Sequence, residues 1–131
     1  MLERATSVRV LLVDDDQIFR NFARQALDEL HGVEVREAGN GLEACHLLQK
    51  AEADFDLIIS DIFMPDMDGM EFLHALAALR YRGKLTIMSG GDSTILEIAR
   101  TYAVQSGLQL AGAFPKESVT ALLLRAILNF D

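Results

Sequence analysis

Val8-Arg9-Val10-Leu11-Leu12-Val13-Asp14-Asp15-Asp16 is a short aliphatic run that stops abruptly on three carboxylates. Six residues rich in valine and leucine are too few for a helix and read as a strand, Val8 to Val13. The run is nearly continuous rather than alternating, which suits a parallel strand covered by helices on both faces. Further strands are expected at Val33 to Ala38, Leu57 to Ser60, Leu85 to Met88 and Leu110 to Phe114.

Helix-length segments with apolar residues three and four apart lie between and after these runs. The first carries Ile18, Phe19, Phe22, Ala26, Leu27 and Leu30, with Asp16 placed as its cap and Gly32 just past its end. The second opens at Asn40, with Glu43 three residues on in a capping-box-like spacing. The others are expected from about Gly69 to Leu79, Ser93 to Val104 and Ser118 to Leu128. Five βα units joined by right-handed crossovers make an α/β doubly wound sheet, flavodoxin-like (βα)5 with parallel order 2-1-3-4-5. No linker or repeat breaks the series, so residues 1–131 are expected to form one domain with its folded core at about 8–130.

Half the residues are hydrophobic, and 20 acidic against 12 basic residues leave a net charge of −8. Such a surface repels nucleic acid and anionic lipid, so no direct nucleic-acid binding is expected. The lone cysteine, Cys45, excludes an internal disulfide, and no apolar run approaches the ~20 residues of a membrane span, so a cytoplasmic protein without membrane insertion is expected. Cys45 lies among the apolar positions of a helical segment and reads as a buried, inert thiol.

In a doubly wound sheet the working groups sit where strands end. Strand one ends in Asp14-Asp15-Asp16, strand three at Asp61, strand four in Ser89-Gly90-Gly91, and Pro115-Lys116 follow strand five. Each has a plain reading alone: an aspartate after a strand caps a helix, and a lone lysine is a solvated charge. Together, however, Asp14, Asp15 and Asp61 would bring like charges close unless a cation sits among them. An all-oxygen set favours Mg²⁺, with no Cys/His set to favour zinc. A carboxylate can attack phosphorus when a metal and a cation offset the developing charge, and Lys116 with the Ser89 hydroxyl could serve the far side.

These residues, in this order, resemble the response-regulator receiver domains of two-component systems, the CheY-like superfamily, over essentially the whole chain. The resemblance rests on Val10 to Asp16 and on Asp56-Leu57-Ile58-Ile59-Ser60-Asp61-Ile62-Phe63-Met64-Pro65-Asp66-Met67-Asp68-Gly69. It implies a signalling switch rather than an enzyme. Asp61 would be the phosphoacceptor; Asp15, Asp61 and the Phe63 carbonyl would bind Mg²⁺, with Asp14 acting through a coordinated water. Ser89 would be the hydroxyl switch residue and Lys116 the phosphoryl contact. Implied partners are a sensor histidine kinase or phosphotransfer protein and an effector domain or downstream protein, with a homodimer through helix four, strand five and helix five among the assemblies. Ser89-Gly90-Gly91-Asp92 and Gly107 to Gly112 also look like receivers attached to cyclic-di-GMP phosphodiesterase domains.

Two positions depart from the family pattern. Glu117 follows the lysine where a cis-proline is usual, so the Lys116 loop is expected to take another shape. Ala113 stands three residues before the lysine, where an aromatic is usual, with Phe114 beside it. Competing readings are a haloacid-dehalogenase-like phosphatase using Asp14-x-Asp16, a phosphorylation-independent interaction module, and a flavin-binding flavodoxin. Asp66-Met67-Asp68-Gly69 looks like part of a calcium loop but lacks an earlier oxygen ligand, because Met64 stands there.

Overall fold

The computed structural model describes residues 8–50, 54–64, 68–90 and 93–128. Strands β1 (Val8–Val13), β2 (Val33–Ala38), β3 (Leu57–Asp61), β4 (Lys84–Ser89) and β5 (Gln109–Pro115) alternate with helices α1 (Gln17–Asp28), α2 (Gly41–Lys50), α3 (Gly69–Ala78), α4 (Ser93–Gln105) and α5 (Ala121–Ile127). All pairings are parallel, in the order β2-β1-β3-β4-β5 expected from the sequence. β3, β4 and β5 run past the apolar residues that announced them. Asp61, for instance, still pairs with Met88, since ladder bonds are made by backbone and do not require an apolar side chain.

Side chains alternate across the sheet and divide the core into two layers. Leu11, Val13, Ile58, Leu85 and Ile87 pack with Ala44 and Cys45 of α2, Phe72 and Leu76 of α3, and Ala99 of α4. Val10, Leu12, Leu57, Ile59 and Met88 pack on the other face with Ala23 and Leu27 of α1 and Leu124 of α5. Each fully buried Leu, Ile or Phe contributes about 1.5–3 kcal/mol relative to exposure. Cys45 is buried as expected, and burial pushes its thiol up. Among the described residues no helix is long and apolar enough to cross a membrane.

The helix ends follow local chemistry. Asp16 accepts from the Ile18 and Phe19 amides at 3.0 and 3.4 Å, and Gly32 takes the left-handed φ of +77° beyond α1. The Asn40 side chain accepts from Glu43 N, but Glu43 returns to the Gly39 amide rather than to that of Asn40. At α3 the full reciprocal box is present, Asp68 with Glu71. The expected fifth helix is shorter than its apolar pattern. Lys116–Ser118 form a 3-10 turn, Val119 is extended and buried, and the Thr120 hydroxyl caps α5 by accepting from Leu123 N. Arg125 then ties α5 to α1 through the Ala26 carbonyl and Glu29.

One irregularity shapes the far edge. Leu85 pairs with Leu110 and Thr86 with Gly112, leaving Ala111 as an extra residue. This bulge puts Leu110 and Ala113 on the same face, against the α4 layer, and turns Phe114 to the α1–α5 layer. Above Gly112 the Phe114 ring occupies the space a Cβ would fill, 2.4 Å from it.

Candidate functional site

β1 and β3 are hydrogen-bonded neighbours, so their carboxyl ends deliver the Asp14–Asp15 pair and Asp61 to one spot. β4 continues the row: Ile62 N donates to Met88 O at 2.9 Å, and Ser89, 2% exposed, lies beyond it paired with Pro115. Lys116 begins the turn after β5. The sheet thus brings Asp14, Asp15, Asp61, Ser89 and Lys116 to the same end, as expected. Gly90 is described there too, with open space where a Cβ would stand. Gly91 and Asp92, which completed the Ser-Gly-Gly-Asp reading, lie outside the described residues, as do Pro65, Asp66 and Met67 of the calcium-like stretch.

The carboxylates differ in setting. Asp14 is fully buried; its Oδ1 accepts from Asp16 N at 2.9 Å, and its Oδ2 faces Lys116 Nζ at 2.7 Å as an ion pair without hydrogen-bond alignment. Asp61 is also buried; Lys116 Nζ stands 3.3 Å from its Oδ2, and Phe63 N donates to its Oδ1 at 3.3 Å. Asp15 is exposed and has no hydrogen bond or ion pair among the described residues. Burial pushes the Asp14 carboxyl up; Lys116 and the Asp16 amide pull it back, the Asp61 charge adds to the rise, and the result is about 6. Burial would lower Lys116, but Asp14 and Asp61 outweigh it and hold the ammonium above its ordinary value.

One oxygen from each of Asp14, Asp15 and Asp61 lies within 4.8 Å of the others. An octahedral Mg²⁺ with ligands at about 2.1 Å needs neighbouring oxygens roughly 3 Å apart and opposite ones roughly 4.2 Å apart, so small side-chain shifts suffice. The donor set is all oxygen, and beyond the Lys116 ion pair Asp14 Oδ2 has no hydrogen-bond donor among the described residues. These residues fit a hard divalent cation. The Phe63 side chain, 49% exposed, stands at the rim two residues past Asp61.

Some contributors escaped sequence reading. Arg20 donates to the Asp14 carbonyl at 2.5 Å and to Glu37 at 3.0 Å, fixing the end of β1 from α1. Burial would raise the Glu37 carboxyl, yet Arg24 and Arg20 together hold it below its ordinary value. The Phe19 ring lies 4.8 Å from Lys116 Nζ. Asp68 with Glu71 was readable as Asp-x-x-Glu ahead of an apolar run, whereas the Phe19 and Arg20 contacts leave no periodic trace. Asp16 is engaged in capping α1, which leaves the phosphatase reading without its second acid.

Residues 10–122 match the family described as Response regulator receiver domain. The chain is 32% identical over 127 residues to the nitrate/nitrite response regulator protein NarP of Escherichia coli, covering 96% of this chain and 56% of that protein. It is 34% identical over 93 residues to the sensor kinase CckA of Brucella abortus, covering 68% of this chain and 10% of that protein. The chain therefore spans only part of these curated relatives. Among solved structures, the signal receiver domain of the putative response regulator NarL from Mycobacterium tuberculosis superposes with a TM-score of 0.76 at 28% identity, covering 95% of each chain. With the matching sheet order and the carboxylates gathered at its carboxyl edge, the chain belongs to the response-regulator receiver domains, the phosphoacceptor signalling modules of two-component systems.

Proposed function

We propose that Asp61 accepts a phosphoryl group from the phosphohistidine of a sensor histidine kinase or phosphotransfer protein, in a Mg²⁺-dependent reaction. The observation that carries this reading is the single lysine ammonium facing both Asp14 and Asp61, at 2.7 and 3.3 Å, beside a third carboxylate that is exposed. Asp15, Asp61 and the Phe63 carbonyl are the proposed direct Mg²⁺ ligands, with Asp14 holding a coordinated water. When bound, Mg²⁺ would offset the charge of the carboxylates and of the transferring group.

An Asp61 carboxylate oxygen forms the new bond to phosphorus, and the imidazole nitrogen leaves with the electron pair of the bond that breaks. Lys116 exchanges part of its contact with Asp61 for the arriving phosphoryl oxygens. The Ser89 hydroxyl turns to the same group and draws the loop after β4 inward, which alters the α4-β5-α5 surface read by an effector domain or downstream protein. That surface is also the proposed homodimer contact. No turnover beyond self-phosphorylation and self-dephosphorylation is proposed, and the proposed compartment is the cytoplasm.

Mass spectrometry after acetyl phosphate treatment, and NMR with beryllofluoride and Mg²⁺, test this reading. Modification of wild type but not of Asp61→Asn is expected. A wild type that neither reagent alters, under conditions that modify another receiver, would overturn it. Partner binding indifferent to Asp61→Ala and to Mg²⁺ would favour a phosphorylation-independent interaction module instead.

A further inference from the structure

We infer that Phe19 is a positioning residue for Lys116: its ring face backs the ammonium and holds it aimed at the site while its anionic partners change. This rests on the proposed phosphoryl contact of Lys116. The Lys116 Nζ lies 4.8 Å from the Phe19 ring centroid and 2.7 and 3.3 Å from Asp14 Oδ2 and Asp61 Oδ2. An ammonium over an aromatic face is attracted by the ring quadrupole, more strongly where water is scarce. Here the lysine side chain is only 19% exposed.

The ring has firm support. Phe19 belongs to the first turns of α1, whose cap is Asp16, and it packs against the layer containing Leu27, Met88, Val119 and Leu124. Phe22 adds a tilted ring contact at 5.9 Å. Lys116 itself comes from a short 3-10 turn continued by Glu117 and Ser118, with its first buried anchor at Val119. A four-carbon stem on such a turn has many rotamers, and fixing them costs entropy. The ring restricts them without competing for the ammonium's hydrogen bonds. Lys116 can therefore shift from a carboxylate to a phosphoryl oxygen while keeping its apolar-side contact.

The test compares Phe19→Leu and Phe19→Tyr with wild type in the full chain. The readouts are beryllofluoride affinity at saturating Mg²⁺, Mg²⁺ affinity alone, and the NMR shift of the Lys116 Hε protons. Phe19→Leu is expected to weaken beryllofluoride binding by about three- to tenfold, the range of a partly desolvated cation–π contact. It should also abolish the ring-current shift of Lys116 and leave Mg²⁺ affinity no weaker. Phe19→Tyr, which keeps the ring, should restore both. In a Lys116→Gln background Phe19→Leu should have no further effect on beryllofluoride. Equal binding by wild type and Phe19→Leu would overturn the positioning role alone. An undiminished loss in the Lys116→Gln background would also overturn it, by making Phe19 merely structural. Wild type blind to beryllofluoride would instead overturn the phosphoacceptor reading and this inference with it.

Discussion

Thr86→Val is expected to stabilise the protein. Thr86 is 1% exposed, and its Oγ1 has no hydrogen-bond partner among the described residues. Alternation along β4 turns its side chain to the Met88 face, where its register neighbours are Ile59 of β3 and Gly112 of β5. Burying a hydroxyl without a partner costs about 1–3 kcal/mol in mutational data. Valine keeps the branched shape and an equal preference for strands, so no cavity opens and no local propensity is lost. The expected gain is roughly 1–2 kcal/mol. With a urea m-value of about 2 kcal/mol per M, the unfolding midpoint should rise by roughly 0.5–1 M at unchanged slope. In thermal unfolding, each kcal/mol should appear as about 3–5 °C for a domain of this size. Thr86 contacts none of the proposed site groups in register, so beryllofluoride binding should stay at the wild-type level. A midpoint that falls, or does not move, would show instead that the hydroxyl finds a partner in solution, such as a buried water.

Three further expectations concern the site. A Cβ at Gly69 would lie 2.4 Å from Ile62 Cα and 2.7 Å from Ile62 O, both backbone atoms, and Gly69 N donates to that carbonyl at 2.7 Å. Gly69→Ala should therefore cost about 2–4 kcal/mol in denaturant unfolding; a loss below about 0.5 kcal/mol would mean the α3 start can shift freely. The Asp14 carboxyl is raised to about 6, so its contribution to stability is fully present below its ordinary value near 3.8 and is lost as pH rises through about 6. Relative to Asp14→Asn, metal-free wild type should lose stability across that window, while Mg²⁺ should bind more tightly as pH rises through it; calorimetry at several pH values checks both, and flat profiles would contradict the shift. Phe63, half-exposed beside Asp61, is expected to keep water from the acyl phosphate, so Phe63→Asn should dephosphorylate faster in a phosphate-release assay. An unchanged or longer lifetime would remove that role.

The strand and helix order, the parallel arrangement and the end of the sheet where the chemistry gathers are all legible in the amino-acid sequence. Near-continuous apolar runs suffice for buried parallel strands, and a carboxylate at the end of such a run is placed by the strand that carries it. Asp14, Asp15, Asp61, Ser89 and Lys116 were legible for that reason. Asp16 was legible as a cap because capping is a contact between residues two and three apart. The features set by tertiary packing lie between distant segments or in one-residue changes of register. The pattern of Ser118 to Leu128 suggested one helix, whereas burial of Val119 and the Thr120 cap delay its start to Ala121. The bulge at Ala111 decided that Ala113 faces the α4 layer and Phe114 the α1–α5 layer, because one extra residue reverses every side chain after it. That Asp14 is sealed in while Asp15 is exposed follows from the turn into α1 and from Lys116 arriving from β5. The Phe19 face behind that lysine joins residues 97 positions apart along the chain, a separation across which neither helical nor strand periodicity carries information.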